Sequence, residues 1–410
     1  MGEGICIESY GFLVFQSSIV NSQSKGFFVE VVAPLKEASD MIRDAGGEAF
    51  KLCFQCGLCT VSCPWNNVRS FIPHKMICQA KFGLADIDDE EWWLCSTCNM
   101  CVSRCPRGVS ITDIMQAVRA IVLEYQYSMA QSSLRNAMGS LSGNGNPWGE
   151  KQEKRSDWAR DLDIRAFNQD MDLLYFPCCV PAYDPKLRSI ARATSEILQN
   201  TGANFGILGA RENCCGESIR KVGNKDLFET LAKGNINAFD ESGVKEIVVS
   251  SPHCYTTFKD EYPALGGNYK VLHFTQYLAK LIDEGKLNFN KEFKKRVVYH
   301  DPCYLGRHNG IYDEPREVLK NIPGLELMDE VDSRENSLCC GGGGGRIWME
   351  TKKGERFSDI LVDQAISLGA EVLATACPYC LLNFRDSVLN ADKEDVLEVR
   401  DISEIVQEAL

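Results

Sequence analysis

The 410-residue chain has no surplus of basic charge: 44 Lys and Arg face 57 Asp and Glu, a formal net charge of -13. A general nucleic-acid role needs a basic face and is excluded on that ground. It also lacks a long apolar run. Tyr10 to Val20 is mildly apolar but too short and too polar to span a bilayer, and Met1-Gly2-Glu3-Gly4 has no basic region of the kind that opens an export signal. No transmembrane segment is expected, and contact with a membrane's inner face is expected only through a partner. Cysteine is abundant, at 20 residues. Disulfide scaffolds are short and secreted, so the expected setting is a reducing, cytoplasmic compartment with the thiols as metal ligands.

Eight of these cysteines fall in two matching strings. Cys53, Cys56, Cys59 and Cys63 precede Pro64, and Cys95, Cys98, Cys101 and Cys105 precede Pro106. Both follow C-x2-C-x2-C-x3-C-P, the bacterial ferredoxin pattern for cubane [4Fe–4S] clusters, in which the fourth cysteine serves the other cluster. One cube is therefore assigned to Cys53, Cys56, Cys59 and Cys105, the other to Cys95, Cys98, Cys101 and Cys63. A zinc reading would use two cysteine pairs and leave the remaining members idle. Helices are expected over Pro34–Ala45, Ile72–Phe82 and from Ser110 onward, with a strand at Phe27–Val32. Gly139–Gly149 reads as a linker, and the charged Glu150–Arg160 as a solvated face.

The rest of the chain repeats itself. Cys179 matches Cys303, Cys214-Cys215-Gly216 matches Cys339-Cys340-Gly341, and Ser251-Pro252-His253-Cys254 matches Cys377-Pro378-Tyr379-Cys380, at offsets of 124 to 126 residues. Short β-rich runs at Leu173–Phe176, Phe205–Leu208, Glu246–Ser250, Arg296–Tyr299 and Val372–Ala376 alternate with helical ones. Such alternation implies mostly parallel sheets covered by helices, with the cysteines at the carboxyl ends of the strands. The second unit offers five candidate ligands (Cys303, Cys339, Cys340, Cys377 and Cys380). The first offers four (Cys179, Cys214, Cys215 and Cys254), with serine, a poor iron ligand, at 251. Cys6, Cys78 and Cys178 are left over; Cys178 could stand in for the missing ligand, but it aligns with Pro302. The glycine run Gly341–Gly345 is expected to leave room for a thiolate to approach, and its N–H groups to cradle an anion. Arg346 would then serve a carboxylate or sulfonate. His300, three residues before Cys303 and beside Asp301, which is expected to orient it, is a candidate proton donor, as is His253.

These motifs resemble the CCG domains of heterodisulfide reductases. The segment Trp93-Leu94-Cys95-Ser96-Thr97-Cys98 through Arg104-Cys105-Pro106 looks like the small ferredoxin-type subunit of the same enzymes. The resemblance covers residue 48 to the end. It implies an α-helical two-cluster ferredoxin-like domain (49–128) after an N-terminal segment (1–48). A linker (129–170), a first CCG domain with one ligand missing (171–290) and a complete second one (291–410) would follow. It further implies a non-cubane [4Fe–4S] cluster on the five cysteines of the second unit, and leaves open whether the first unit holds a cluster. The activity implied is an iron–sulfur oxidoreductase that reduces, or reversibly forms, a disulfide or trisulfide of a thiol substrate or small sulfur-carrier protein. It would work beside flavin- or haem-containing subunits, some of them membrane-bound. The alternative is a non-catalytic electron-transfer subunit, as in glycerol-3-phosphate, glycolate or lactate oxidation.

Overall fold

The computed structural model describes residues 34–125 and 129–410. Cys6 and the strand expected at Phe27–Val32 lie outside the described residues.

Residues 34–125 hold only helices and turns. The helix Pro73–Lys81 starts on proline, whose fixed φ suits the first helical turn and whose missing N–H costs nothing there. In the helix Ile111–Tyr125 the stripe Ile114, Met115, Val118, Ile121 and Val122 is fully buried, as its spacing requires. Burying each of these side chains contributes roughly 1.5–3 kcal/mol. The two cysteine strings lie against this helix bundle and contribute one-turn helices, Leu58–Val61 and Met100–Ser103.

Beyond residue 172 the chain folds as two four-stranded sheets. The first contains β1 (Leu173–Phe176), β2 (Phe205–Gly206), β3 (Glu246–Val249) and β4 (Lys270–His273), in the order β2-β1-β3-β4. The second contains β5 (Arg296–Tyr299), β6 (Glu326–Asp329), β7 (Val372–Thr375) and β8 (Glu398–Asp401), in the order β6-β5-β7-β8. Every pairing is parallel. Parallel neighbours need long crossovers, and helices supply them. β1 and β7 are buried at every position and apolar save for Thr375 and the Tyr175 hydroxyl, which marks central strands covered on both faces. The sequence repeat is thus a repeat of fold.

Two expectations fail between the helical part and the first sheet. The loop expected over Gly139–Gly149 begins only at Gly145: Ser132–Asn144 is a helix with Leu134, Ala137, Met138 and Leu141 buried at helical spacing, and 145–148 are bend and turn. Its glycines and serines suggested a loop, but packing of the apolar face decides. Gly145 ends it in the left-handed region, φ +66°, and its carbonyl accepts from the Cys214 N–H at 2.7 Å. A Cβ there would lie 2.3 Å from Asn213 Oδ1, so only glycine fits. Nor is Glu150–Arg160 simply a solvated face, because Arg155 and Trp158 are buried. The Arg155 guanidinium donates to Glu212 at 2.8 Å and to the Pro177 carbonyl at 3.2 Å, and lies over the Phe176 ring.

Breaking a buried pair leaves an uncompensated charge. Arg155→Met should therefore lower stability by about 3–5 kcal/mol, read as a lowered urea midpoint, and adding Glu212→Leu should restore most of it.

Candidate metal centres

The two ferredoxin-type strings bend their backbones in the same way. Gln55 and Gly57 flank Cys56 with φ of +65° and +80°, and Thr97 and Asn99 flank Cys98 with φ of +51° and +60°. Positive φ is unusual for a β-branched residue, and such strain persists where a site over-determines it. Here it curls each loop around a common centre. Cys53, Cys56 and Cys59 line a small cavity together with Cys105, the last cysteine of the other string. Cys101 in turn lies within electrostatic reach of Cys95, Cys98 and Cys63. Cys101 also lies within reach of Cys59, so the two sets are neighbours. Cys56 is exposed, whereas Cys98 and Cys101 are buried.

In the second cysteine-rich domain the five thiols follow β5 and β7 and the loop before the glycine run. Cys303 lies 4.0 Å from Cys339, and Cys340 lies 3.1 Å from Cys380, which is also within electrostatic reach of Cys377. All five are buried. The Gly341 N–H points at the Cys339 sulfur at 3.3 Å, and the Gly342 N–H supports Cys340. In the first domain Cys179, Cys214, Cys215 and Cys254 are likewise buried together, and Cys178 joins them.

Between the two domains, residues of both sites interleave. The His253 ring packs at a tilt against Tyr304, at 4.0 Å, and against Tyr379, at 4.4 Å. Its Nδ1 lies 3.3 Å from Glu217, and its ring also contacts Cys377. Burial works against the charged ring, but Glu217 and the Cys377 thiolate prevail and push its pKa up to about 10. His253 thus belongs to the first repeat in sequence and to the second site in space.

The glycine run does something other than admit a substrate. A Cβ on Gly343 would lie 2.4 Å from the Ser96 carbonyl oxygen, one on Gly344 2.5 Å from that of Cys95, and one on Gly345 2.3 Å from the Val222 side chain. The run lets the second ferredoxin-type string press onto the second cysteine-rich site, and its first N–H groups serve thiolates of the chain itself. Across this contact Ser96 Oγ lies 3.6 Å from Cys339, Thr97 Oγ1 bonds the Tyr304 hydroxyl at 2.8 Å, and Arg307 donates to the Cys98 carbonyl at 2.9 Å. Cys98 itself lies within electrostatic reach of Cys339.

A cavity of about 400 Å³ opens beside Cys340, lined by Gly341, Arg346, Asn383, Trp65 and Phe357 among others. Arg346 is not a surface guanidinium: it is buried over the Trp65 ring and donates to Thr351 Oγ1 at 2.8 Å. Burial and the neighbouring Arg119 lower its pKa to about 10, so it stays charged at neutrality. His300 does not line this cavity. It is fully buried, and its orienting carboxylate is Glu330 at 2.8 Å, not Asp301. Asp301 is held by both nitrogens of Arg316 at 2.7 Å. Sequence adjacency misled here because alternate positions after a strand end face opposite ways.

Comparison with known proteins fits this geometry. The cysteine-rich domain family matches residues 173–259 and 297–385, and the 4Fe-4S dicluster domain family matches 49–109. The chain belongs to the cysteine-rich-domain family of iron–sulfur proteins. It is 38% identical over 288 residues to EtfAB:quinone oxidoreductase of Syntrophomonas wolfei, covering 67% of this chain and 40% of that one. It is 36% identical over 288 residues to the probable iron-sulfur-binding oxidoreductase FadF of Bacillus subtilis, covering 68% and 41%. Against a subunit of the dihydromethanophenazine:CoB–CoM heterodisulfide reductase of Methanosarcina barkeri it is 33% identical over 311 residues, 74% of each chain. The chain spans about two fifths of the length of the first two relatives. Among the described residues no helix is long and apolar enough to cross a membrane.

One buried cation tests whether these residues suit iron–sulfur clusters. Arg119 is fully buried and, among the described residues, pairs with no carboxylate. Its guanidinium donates to the carbonyls of Trp92 (2.8 Å), Cys95 (2.6 Å), Lys221 (3.1 Å) and Gly344 (3.1 Å). Four carbonyls satisfy its hydrogen bonds but supply no countercharge, and an unpaired buried charge is costly. Thiolates at Cys95 and its companions, collectively anionic around a cluster, supply it, so the donor set fits the group that the family carries. Arg119 was legible in the sequence as a lone charge in register with the apolar stripe, at i+4 from Met115 and i-3 from Val122.

Charge near a cluster sets its reduction potential. Arg119→Met should shift the potential of the cluster on the second string downward by roughly 60–120 mV, equivalent to about 1.4–2.8 kcal/mol for one electron. Arg119→Lys should shift it less. The measurement is a redox titration followed by electron paramagnetic resonance; an unchanged potential in the methionine variant would contradict the pairing.

Proposed function

We propose that the chain is the electron-transfer subunit of a larger redox complex, and that its second cysteine-rich site reduces, or reversibly forms, a disulfide or trisulfide of a thiol substrate. The observation that carries this reading is the cavity of about 400 Å³ that reaches Cys340, the member of the five-thiol group on its wall. In this reading Cys53, Cys56, Cys59 and Cys105 hold one [4Fe–4S] cubane, and Cys95, Cys98, Cys101 and Cys63 a second. Cys303, Cys339, Cys340, Cys377 and Cys380 hold a non-cubane cluster. When bound, the cubanes supply one-electron carriers, and the third cluster supplies iron that a substrate sulfur can reach.

The chain's own residues then do the following. The glycine run and Arg119 hold the second string against the five-thiol site, which shortens the path between them. Asn383 fixes the Cys340 carbonyl at 2.9 Å and stands in the cavity wall. Arg346 and Arg356 bring positive charge to that wall, and Glu355 and Asp386 bring negative charge. A small thiol carrying polar or charged groups of its own matches this lining better than an apolar one. His300 acts as a positioning residue: its bond to Glu330 ties the end of β5 to the loop that ends in Cys339-Cys340. At the opposite end, the exposed Cys56 is surrounded by the exposed apolar side chains Phe54, Leu58 and Val61. A flavin- or haem-containing partner docking on this patch would exchange electrons with the first cubane, and attachment to the cytoplasmic face of a membrane would come through it.

Similarity to EtfAB:quinone oxidoreductase supports a second reading, in which the cysteine-rich sites only relay electrons between a flavin partner and a quinone-linked one. The two readings differ in whether a thiol binds. Electron paramagnetic resonance of the oxidised protein should show a new signal on adding small thiols, and Cys340→Ser should abolish it. No thiol-dependent signal in a protein whose clusters still reduce would favour the relay.

A further inference from the structure

The first cysteine-rich domain was expected to lack a ligand, because Ser251 stands where the second domain has Cys377. Ser251 is fully buried, and its hydroxyl has no hydrogen-bond partner. Its surroundings explain why serine suffices there. Tyr175 of β1 pairs with Val248 of β3, and Tyr299 of β5 pairs with Ala374 of β7. Three residues beyond these matched pairs come Cys178 and Ser251 in the first domain, and Pro302 and Cys377 in the second. Each domain therefore carries one cysteine at these two positions, on opposite strands of the pair.

The neighbourhoods follow the exchange. In the second domain Cys377 lies within electrostatic reach of Cys380. In the first, Cys178 lies within reach of Cys254, the counterpart of Cys380, and of Cys179 and Cys215. The same holds for Cys179 and Cys214, for Cys214 and Cys215, and for Cys215 and Cys254. All five are buried.

We propose that Cys178 is the fifth thiol of the first cysteine-rich site, so that this domain also holds an iron–sulfur cluster, with one ligand moved to the neighbouring strand. The proposal rests on the reading that the second site holds a cluster, since it carries that ligand count across to the first. Two cysteine-rich sites then flank the packed rings of His253 and Tyr379. The second adjoins the second ferredoxin-type string, and the first adjoins the helix Ser132–Asn144 through the Gly145–Cys214 bond.

The test is iron content and Mössbauer spectroscopy of the full chain purified without oxygen. The wild type should hold about sixteen irons, four for each of four thiol sets, and Cys178→Ala about twelve. The alanine variant should keep its cubane spectra and any thiol-dependent signal of the second site. Because an alanine there could disturb folding, the double variant Cys178→Ala/Ser251→Cys returns the thiol on the neighbouring strand and should regain the lost irons and their spectrum. Equal iron and an identical Mössbauer spectrum in wild type and Cys178→Ala would overturn the proposal, whether the shared count is twelve or sixteen. A wild type with sixteen irons but no thiol-dependent signal would sink the disulfide reading and leave this one standing.

Discussion

The arrangement depends on one buried guanidinium. Arg119 projects from the long helix of the ferredoxin-like domain and ties together the carbonyls of Trp92 and Cys95, Lys221 of the first cysteine-rich domain and Gly344 of the second. Three parts of the chain, more than 200 residues apart at the extremes, thus meet at a single side chain. Arginine's rigid fork suits several acceptors in fixed directions, which an ammonium does not match. The cost of burying its charge is offset only if anionic thiolates stand beside it. Docking of the domains and occupation of the second string are therefore linked: the contact is most stable when the neighbouring site carries its full negative charge.

A duplicated fold with unequal use follows from the same contact. Both cysteine-rich domains place thiols at the carboxyl ends of parallel strands, as open sheets of this type do with their ligands. The second has a glycine run where the backbone of the second string comes close, whereas the first meets the ferredoxin-like domain at the single Gly223, whose Cβ would lie 2.5 Å from the Ala120 nitrogen. In the first repeat Gly216 is followed by Glu217 and Ser218, which bond His253 and Tyr379 respectively. Corresponding positions therefore serve docking in one copy and the pairing of the two copies in the other.

Much of this was legible in the sequence. The cysteine spacing located the dicluster segment and both repeats, and every strand expected in the described residues appears within a few residues of its place. What failed has physical causes. Gly139–Gly149 was judged on composition, while the buried face of Leu134, Met138 and Leu141 carried the helix through Asn144 and left only 145–149 as a loop. Cys178 was set aside because alignment matched it to Pro302; only strand pairing shows that it lies beside Ser251. Asp301 was assigned to His300 by adjacency, whereas Glu330 reaches it across the sheet from just beyond β6. The purpose of the glycines could not be read locally, since the atoms they accommodate lie some 250 residues earlier in the chain.

The central claim is that the second ferredoxin-type string adjoins the five-thiol site, with Cys98 and Ser96 against Cys339. Spin–spin interaction between the two centres tests it most directly. Electron paramagnetic resonance of the protein poised with both centres paramagnetic should show a broadened or split, fast-relaxing signal. The spectrum of Cys339→Ser should lose that interaction while the cubane signal remains. A wild-type spectrum that is the plain sum of isolated centres would contradict the account.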